Sequence, residues 1–314
     1  MTEPISRRRF LEATTLAAAA TAVGGVHAQG ALPHRQFGRS GLQVSVLAFG
    51  CGSRFLMYRD EQESAAVLNH AIDSGITYVD TAVGYGNGES ERRVGLVMKT
   101  RRKDVTLATK IPESARDRDG ALRIVEASLK RLQTDHLDVI HVHSLGDADD
   151  LARIEAADGV LKALYQLRDQ KVTRCVGITS HTDGAVMARA IEHNDLDAVQ
   201  MAMNPARANR FEELALAAAT KKGLGIVCMK VTAQEKLVGS GTGQTNMESL
   251  LRYALSLPVS TAVVGMPKRE FLDENIRLAR AFAPLTPAEQ DKVRQQVAPA
   301  QAAVATYFAD HMDA

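Results

Sequence analysis

From Val44 onward the chain repeats one unit eight times, a short apolar strand-like run followed by an amphipathic helical segment. The strand-like runs are Val44–Phe49, Thr77–Thr81, Val105–Lys110, Leu137–His143, Arg174–Thr179, Ala198–Met203, Gly225–Lys230 and Thr261–Gly265. Between them, three- and four-residue spacing keeps one face of each helix apolar, as in Leu122, Val125, Leu129 and Leu132 and again in Phe211, Leu214 and Ala218. Gly75 and Gly223 stand where a helix should stop before the next strand. Eight such units in roughly 285 residues predict a (β/α)8 TIM barrel, whose usual length is about 250 residues.

A doubly wound open sheet is the main rival. It would need G-x-G-x-x-G between its first strand and helix, with an acidic residue about 20 positions later. Gly50-Cys51-Gly52 lacks the third glycine, and the Gly84–Gly88 segment follows the second strand with the wrong spacing. Ahead of the barrel, Phe37–Leu42 reads as a hairpin turn that caps the barrel bottom. Beyond Pro284 a helical tail is expected to run to about His311 and to pack on the outside. With 38 basic and 37 acidic residues, no single-sign field exists to draw the protein onto nucleic acid.

In such a barrel the C-terminal ends of the strands share one mouth. Asp80, Tyr85, Lys110 and His143 all lie at those ends, after the second, third and fourth strands. Singly each has an ordinary reading: a turn aspartate, a loop tyrosine, a strand-end lysine, a core histidine. Together they form a proton-donating unit. Hydride reduction of a carbonyl builds negative charge on oxygen, so a site must deliver a proton there. A phenol is a weak acid, with pKa about 10, unless its anion is stabilised. An ammonium group beside it supplies that stabilisation, a carboxylate keeps the buried ammonium charged, and an imidazole at the mouth orients the carbonyl or relays the proton.

The segments VDTAVGYGNGESE, LATKIP and LDVIHVHS that hold these four residues resemble the aldo-keto reductase family, and the resemblance runs from about Phe37 to Asn275. It implies that Asp80, Tyr85, Lys110 and His143 are the catalytic tetrad. It also implies a nicotinamide cofactor, with NADPH favoured over NADH, and a small carbonyl substrate. Gln200, Thr179 and Ser180 match positions that bind the nicotinamide amide; Met229 and Lys230 follow the seventh strand in a segment similar to many bacterial members, and these two and Gly50 are further expected cofactor contacts. The run from Gly265 to Asn275, including Lys268, Arg269 and Glu274, resembles the adenosine-phosphate loop and helix. Two positions depart from the most phosphate-selective pattern, since Gly265 and Phe271 stand where basic residues are expected. There is no tryptophan, so aromatic walls would come from Phe55, Tyr58, Tyr307 or Phe308.

Two other functions fit parts of the pattern. His141-x-His143 places two histidines on one face of a strand, as a metal-dependent hydrolase would, but the later His181 and His193 supply no obvious further ligands. A nicotinamide-binding barrel with a sensing or partner role and little turnover is the second.

The N-terminus differs from the rest. Arg7-Arg8-Arg9-Phe10-Leu11, an Ala-rich apolar run from Ala13 to Val26 and the small residues around Ala28 resemble a twin-arginine export signal over residues 1–28, leaving residues 29–314 as the barrel domain. The implied partner is the twin-arginine machinery and the implied location periplasmic or secreted. Cleavage there would bring the remaining chain to zero net charge, and the run is too short and too rich in Ala and Thr to remain as a comfortable membrane span. Twin-arginine export carries folded cargo, which suits a protein that loads a soluble cofactor first. Cys51, Cys175 and Cys228 are far apart in apolar runs and read as buried small residues rather than as a disulfide or metal framework.

Overall fold

Two parallel strands need a crossover between them, which the intervening helix supplies, and the chain closes such pairs into a ring. The computed structural model describes residues 30–309 of the 314. The expected export signal and the expected tail end at His311 lie outside those residues. Eight strands form the barrel: β3 (Leu47–Gly50), β4 (Tyr78–Asp80), β5 (Thr106–Ile111), β6 (Leu137–Val142), β7 (Thr173–Ser180), β8 (Ala198–Ala202), β9 (Gly225–Met229) and β10 (Thr261–Gly265). Each pairs in parallel with the next, and β10 closes on β3 with Val264 opposite Phe49.

Before the barrel, β1 (His34–Gln36) and β2 (Gln43–Ser45) form an antiparallel hairpin, whose turn is closed by Phe37 N donating to Leu42 O at 2.8 Å. The hairpin caps the N-terminal end of the barrel as expected. Phe37 is wholly buried against Gly225 at the start of β9, and Arg39 N donates to Gly223 O at 2.8 Å.

The first expected barrel strand, Val44–Phe49, is divided between two sheets. Its first half belongs to the hairpin and the barrel strand begins at Leu47. Val46 is the turning point, because its N–H donates to Pro33 O at 2.9 Å on the hairpin side while its carbonyl accepts Ala262 N at 2.9 Å on the barrel side. A continuous apolar run carries no mark of that change of partner.

Helix starts are set by short polar side chains. Asp60, Asp117, Asp147, Asp183 and Asn246 each accept a backbone N–H of the first turn that follows, and Thr286 and Glu289 make a reciprocal capping box. Each such cap is worth about 1 kcal/mol. Gly75 and Gly223 follow their helices with φ of 101° and 64°, the left-handed conformation that returns the chain to the next strand. Helix Arg118–Leu132 buries Val125 and Leu132 and leans Leu122 and Leu129 on the core. Helix Phe211–Lys221 buries Phe211, Ala215, Leu216 and Ala219, so its inward face is turned by one residue from the expected Leu214 and Ala218.

Past Pro284 the tail is two helices, Pro287–Val297 and Gln301–Ala309, separated by a tight turn at Ala298–Ala300 that contains Pro299. The last helix rests on loops of the barrel mouth: the Phe308 ring lies 6.4 Å from that of His181, just after β7, and Lys236 Nζ sits 5.0 Å from the Tyr307 ring centroid. Among the described residues no helix is long and apolar enough to cross a membrane. All three cysteines are buried with free thiols, and burial pushes each thiol pKa upward.

Candidate active site

Parallel register puts the ends of β4, β5 and β6 at one level, with Asp80 beside Ala108 and Lys110 beside His141. The Lys110 side chain is wholly buried and its ammonium uses three donors: 2.8 Å to Asp80 Oδ2, 2.9 Å to Thr81 O and 3.1 Å to the Tyr85 hydroxyl. A lone ammonium could not be buried this way, because removal from water costs several kcal/mol that only a well-placed counter-charge recovers. Tyr85 also turns its ring toward Nζ, 4.7 Å from the centroid, and meets the His143 ring edge to face at 5.8 Å. Asp80, Tyr85, Lys110 and His143 thus come together, each at least nine-tenths buried.

A cavity of about 780 Å³ opens onto this cluster. Asp80 and Tyr85 line it at one end, beside Gln200 and Met229, and it runs past Lys230 to Gly265, Pro267, Phe271, Glu274 and Asn275. Gln200 Nε2 donates to Asp80 Oδ2 at 3.3 Å and meets Met229 Sδ at 3.6 Å. Gln200 Oε1 and Asp80 Oδ1 are buried oxygens without a hydrogen-bond partner, so this end of the cavity presents acceptors that a bound amide would satisfy.

Of the cofactor-contact positions expected from sequence, Gly50, Gln200, Met229, Lys230, Gly265, Glu274 and Asn275 line the cavity. Thr179 and Ser180 do not; Thr179 Oγ1 accepts Ser144 N at 2.8 Å and Ser180 Oγ donates to Leu145 O at 2.8 Å. Lys268 and Arg269 stand on the exposed rim, Lys268 near the Phe271 ring and Arg269 near His70 and Asp273. Phe55 and Tyr58 are core residues, Phe55 lying edge-on to both Phe49 and Tyr58, and the cavity takes its aromatic surface from Tyr85 and Phe271 instead.

Sequence reading missed Arg54 and Glu235, whose 3.0 Å ion pair joins the loop after β3 to the loop after β9, both on the cavity wall. Position after a barrel strand was the available signal, but no spacing rule pairs residues so far apart. His141 is wholly buried, with Gly177 packed against its Nδ1 and neither ring nitrogen hydrogen-bonded. Burial, then the charges of Lys110 and His143, hold its pKa well below the ordinary histidine value, so it is neutral. No group of three His, Cys, Asp or Glu side chains suited to a metal occurs among the described residues.

A model of the aldo/keto reductase family matches residues 47–250, more than half of the sequence. The chain belongs to the aldo/keto reductase family. As a member it is an NAD(P)H-dependent oxidoreductase. An uncharacterized oxidoreductase of Bacillus subtilis, YqkF, is 26% identical over 289 residues, covering 79% of this chain and 91% of that protein. The aldo-keto reductase YhdN of the same organism is 35% identical over 154 residues, 45% of each chain. Among solved structures, the holo form of the aldo-keto reductase AKR11C1 from Bacillus halodurans superposes with a TM-score of 0.71 at 24% identity, covering 84% of this chain and 96% of its own. A putative aldo-keto reductase from Pseudomonas aeruginosa gives 0.67 at 28% identity over 79% and 95%.

Proposed function

We propose that this aldo/keto reductase uses NADPH to convert a small aldehyde or ketone to the alcohol, with Tyr85 as proton donor. The observation that carries the reading is the Lys110 ammonium, bonded at once to the Asp80 carboxylate and the Tyr85 hydroxyl at the end of a large cavity. Because the Tyr85 oxygen accepts from Nζ, its own proton is directed away from the lysine. As that proton moves to a carbonyl oxygen, the ammonium beside it stabilises the phenolate that forms. The Asp80 carboxylate supplies the counter-charge that the buried ammonium needs. His143, against the Tyr85 ring, holds the carbonyl in line.

The bound nicotinamide supplies hydride. Gln200 would hold its amide through the unpartnered Oε1, and the stretch from Gly265 to Asn275 would hold the adenosine end. NADPH is favoured over NADH because Lys268 and Arg269 flank that end, and because a relative of 28% identity is the aldo-keto reductase yakc [NADP(+)] of Schizosaccharomyces pombe. Export by the twin-arginine route, with removal of residues 1–28, is proposed from the N-terminal sequence alone. Fractionation of expressing cells and the N-terminal mass of the product test it; an intact Met1 on cytoplasmic protein rejects it.

Titrating the protein with NADPH and then NADH, followed by a panel of aldehydes and ketones, tests the activity. Binding with cofactor oxidation supports the proposal and chooses the cofactor. Tight binding without turnover would support a sensing or partner role instead, and no binding of either nucleotide would refute both.

A further inference from the structure

The carbonyl ligand His143 is aimed by its backbone, and that backbone is under strain. Ser144, the next residue, has φ of 50° without being glycine. A non-glycine residue there costs on the order of 1–3 kcal/mol and persists only where its surroundings impose it. Two sets of side chains impose it here. From the loop after β5, the buried Arg116 guanidinium donates through Nη2 to His143 O at 2.8 Å and to Ser144 O at 3.3 Å. Asp150 fixes that guanidinium through two bonds of 2.9 and 2.8 Å, and the same carboxylate accepts Gly146 N at 3.2 Å. From β7, Thr179 accepts Ser144 N at 2.8 Å through its hydroxyl and Leu145 N at 2.7 Å through its carbonyl, while the Ser180 hydroxyl donates to Leu145 O.

We infer that Arg116, held by Asp150 and opposed by Thr179, is a positioning residue that sets the His143 imidazole against Tyr85 by clamping the strained His143–Gly146 backbone. The inference rests on the proposed carbonyl reduction and gives Thr179 and Ser180 a part in the clamp through their bonds to Ser144 and Leu145. Arg116 meets the Asp150 carboxylate side-on through Nε and Nη2 while Nη2 also reaches the two carbonyls, and a lysine ammonium cannot reproduce that bidentate pairing, so lysine at 116 keeps the charge and loses the geometry. A displacement of about 1 Å at a reacting group can lower rate by about 100-fold.

The test is a double-mutant cycle on kcat/KM in the full chain, with Arg116→Lys, His143→Ala and the double variant, and NADPH affinity measured beside it. The clamp predicts a 10- to 100-fold loss for Arg116→Lys in the presence of His143, almost none in the His143→Ala background, and NADPH affinity within about 2-fold of the parent throughout. A general loss of structure would lower activity in both backgrounds. Thr179→Val, which removes only the acceptor for Ser144 N, should show the same dependence on His143 and serves if Arg116→Lys does not fold.

Equal losses with and without His143 overturn the clamp, as does parental activity in Arg116→Lys. Parental activity in His143→Ala would overturn the role of His143 itself, and the clamp with it.

Discussion

Glu212 sits at the start of helix Phe211–Lys221 with its side chain only 7% exposed. It accepts the Tyr253 hydroxyl at 2.7 Å and lies 3.4 Å from the Arg207 guanidinium, while Arg294 Nη1 donates to the same Tyr253 oxygen at 3.2 Å. Burial nevertheless wins over these favourable contacts and pushes the carboxyl pKa from 4.5 up to about 7. A rise of that size corresponds to roughly 3 kcal/mol between the two protonation states. Below about pH 4.5 both folded and unfolded chains hold the proton and nothing is lost. As pH rises from there to about 7 the unfolded chain releases a proton that the folded chain keeps, so stability falls, and above about 7 the full cost is present. Glu212→Gln retains an acceptor for Tyr253 and carries no charge to desolvate. Urea unfolding of parent and variant at pH 5 and pH 8 should show the variant more stable by about 1 kcal/mol at the lower pH and by roughly 3 kcal/mol at the higher. A gap that does not open with pH, or a variant less stable at pH 8, would refute the reasoning.

Lys110→Met leaves the Asp80 carboxylate buried without its counter-charge, so stability should drop by about 3–5 kcal/mol in urea unfolding and carbonyl reduction by at least about 100-fold. Gly95→Ala, on the helix Glu89–Arg101, would drive a methyl group into the Arg131 carbonyl oxygen of the packed neighbouring helix; thermal unfolding should show a loss of about 1–3 kcal/mol with catalytic constants unchanged. Neutral, buried His141 makes the folded chain resist a proton that the unfolded chain accepts, so stability should decline as pH falls below about 6.5, and His141→Leu should flatten that acid-side decline relative to the parent.

The repeat of strand and helix was legible in the sequence because apolar periodicity is a local property. The register that closes β10 on β3 needed no reading of its own, since eight equal units admit few other arrangements. The division of Val44–Phe49 was hidden, because Val46 changes hydrogen-bond partner without changing residue character. At the site, Asp80, Tyr85, Lys110 and His143 could be found because strand ends mark the mouth. Thr179 and Ser180 carry no sign in sequence that they hold Ser144 and Leu145, because those bonds join the ends of two strands and exist only in the fold. Arg54 and Glu235, Arg116 and Asp150 are pairs between segments distant in sequence, and side-chain pairing at that range is a tertiary fact.

The measurement that bears most directly on the chemistry is Tyr85→Phe, which removes one oxygen and keeps the ring against His143 and Lys110. Cofactor affinity by nicotinamide fluorescence should stay close to the parent while kcat for carbonyl reduction falls by about 100- to 10,000-fold, the usual worth of a positioned proton donor. A Tyr85→Phe protein that still reduces its carbonyl substrate at near-parental rate would contradict the assignment.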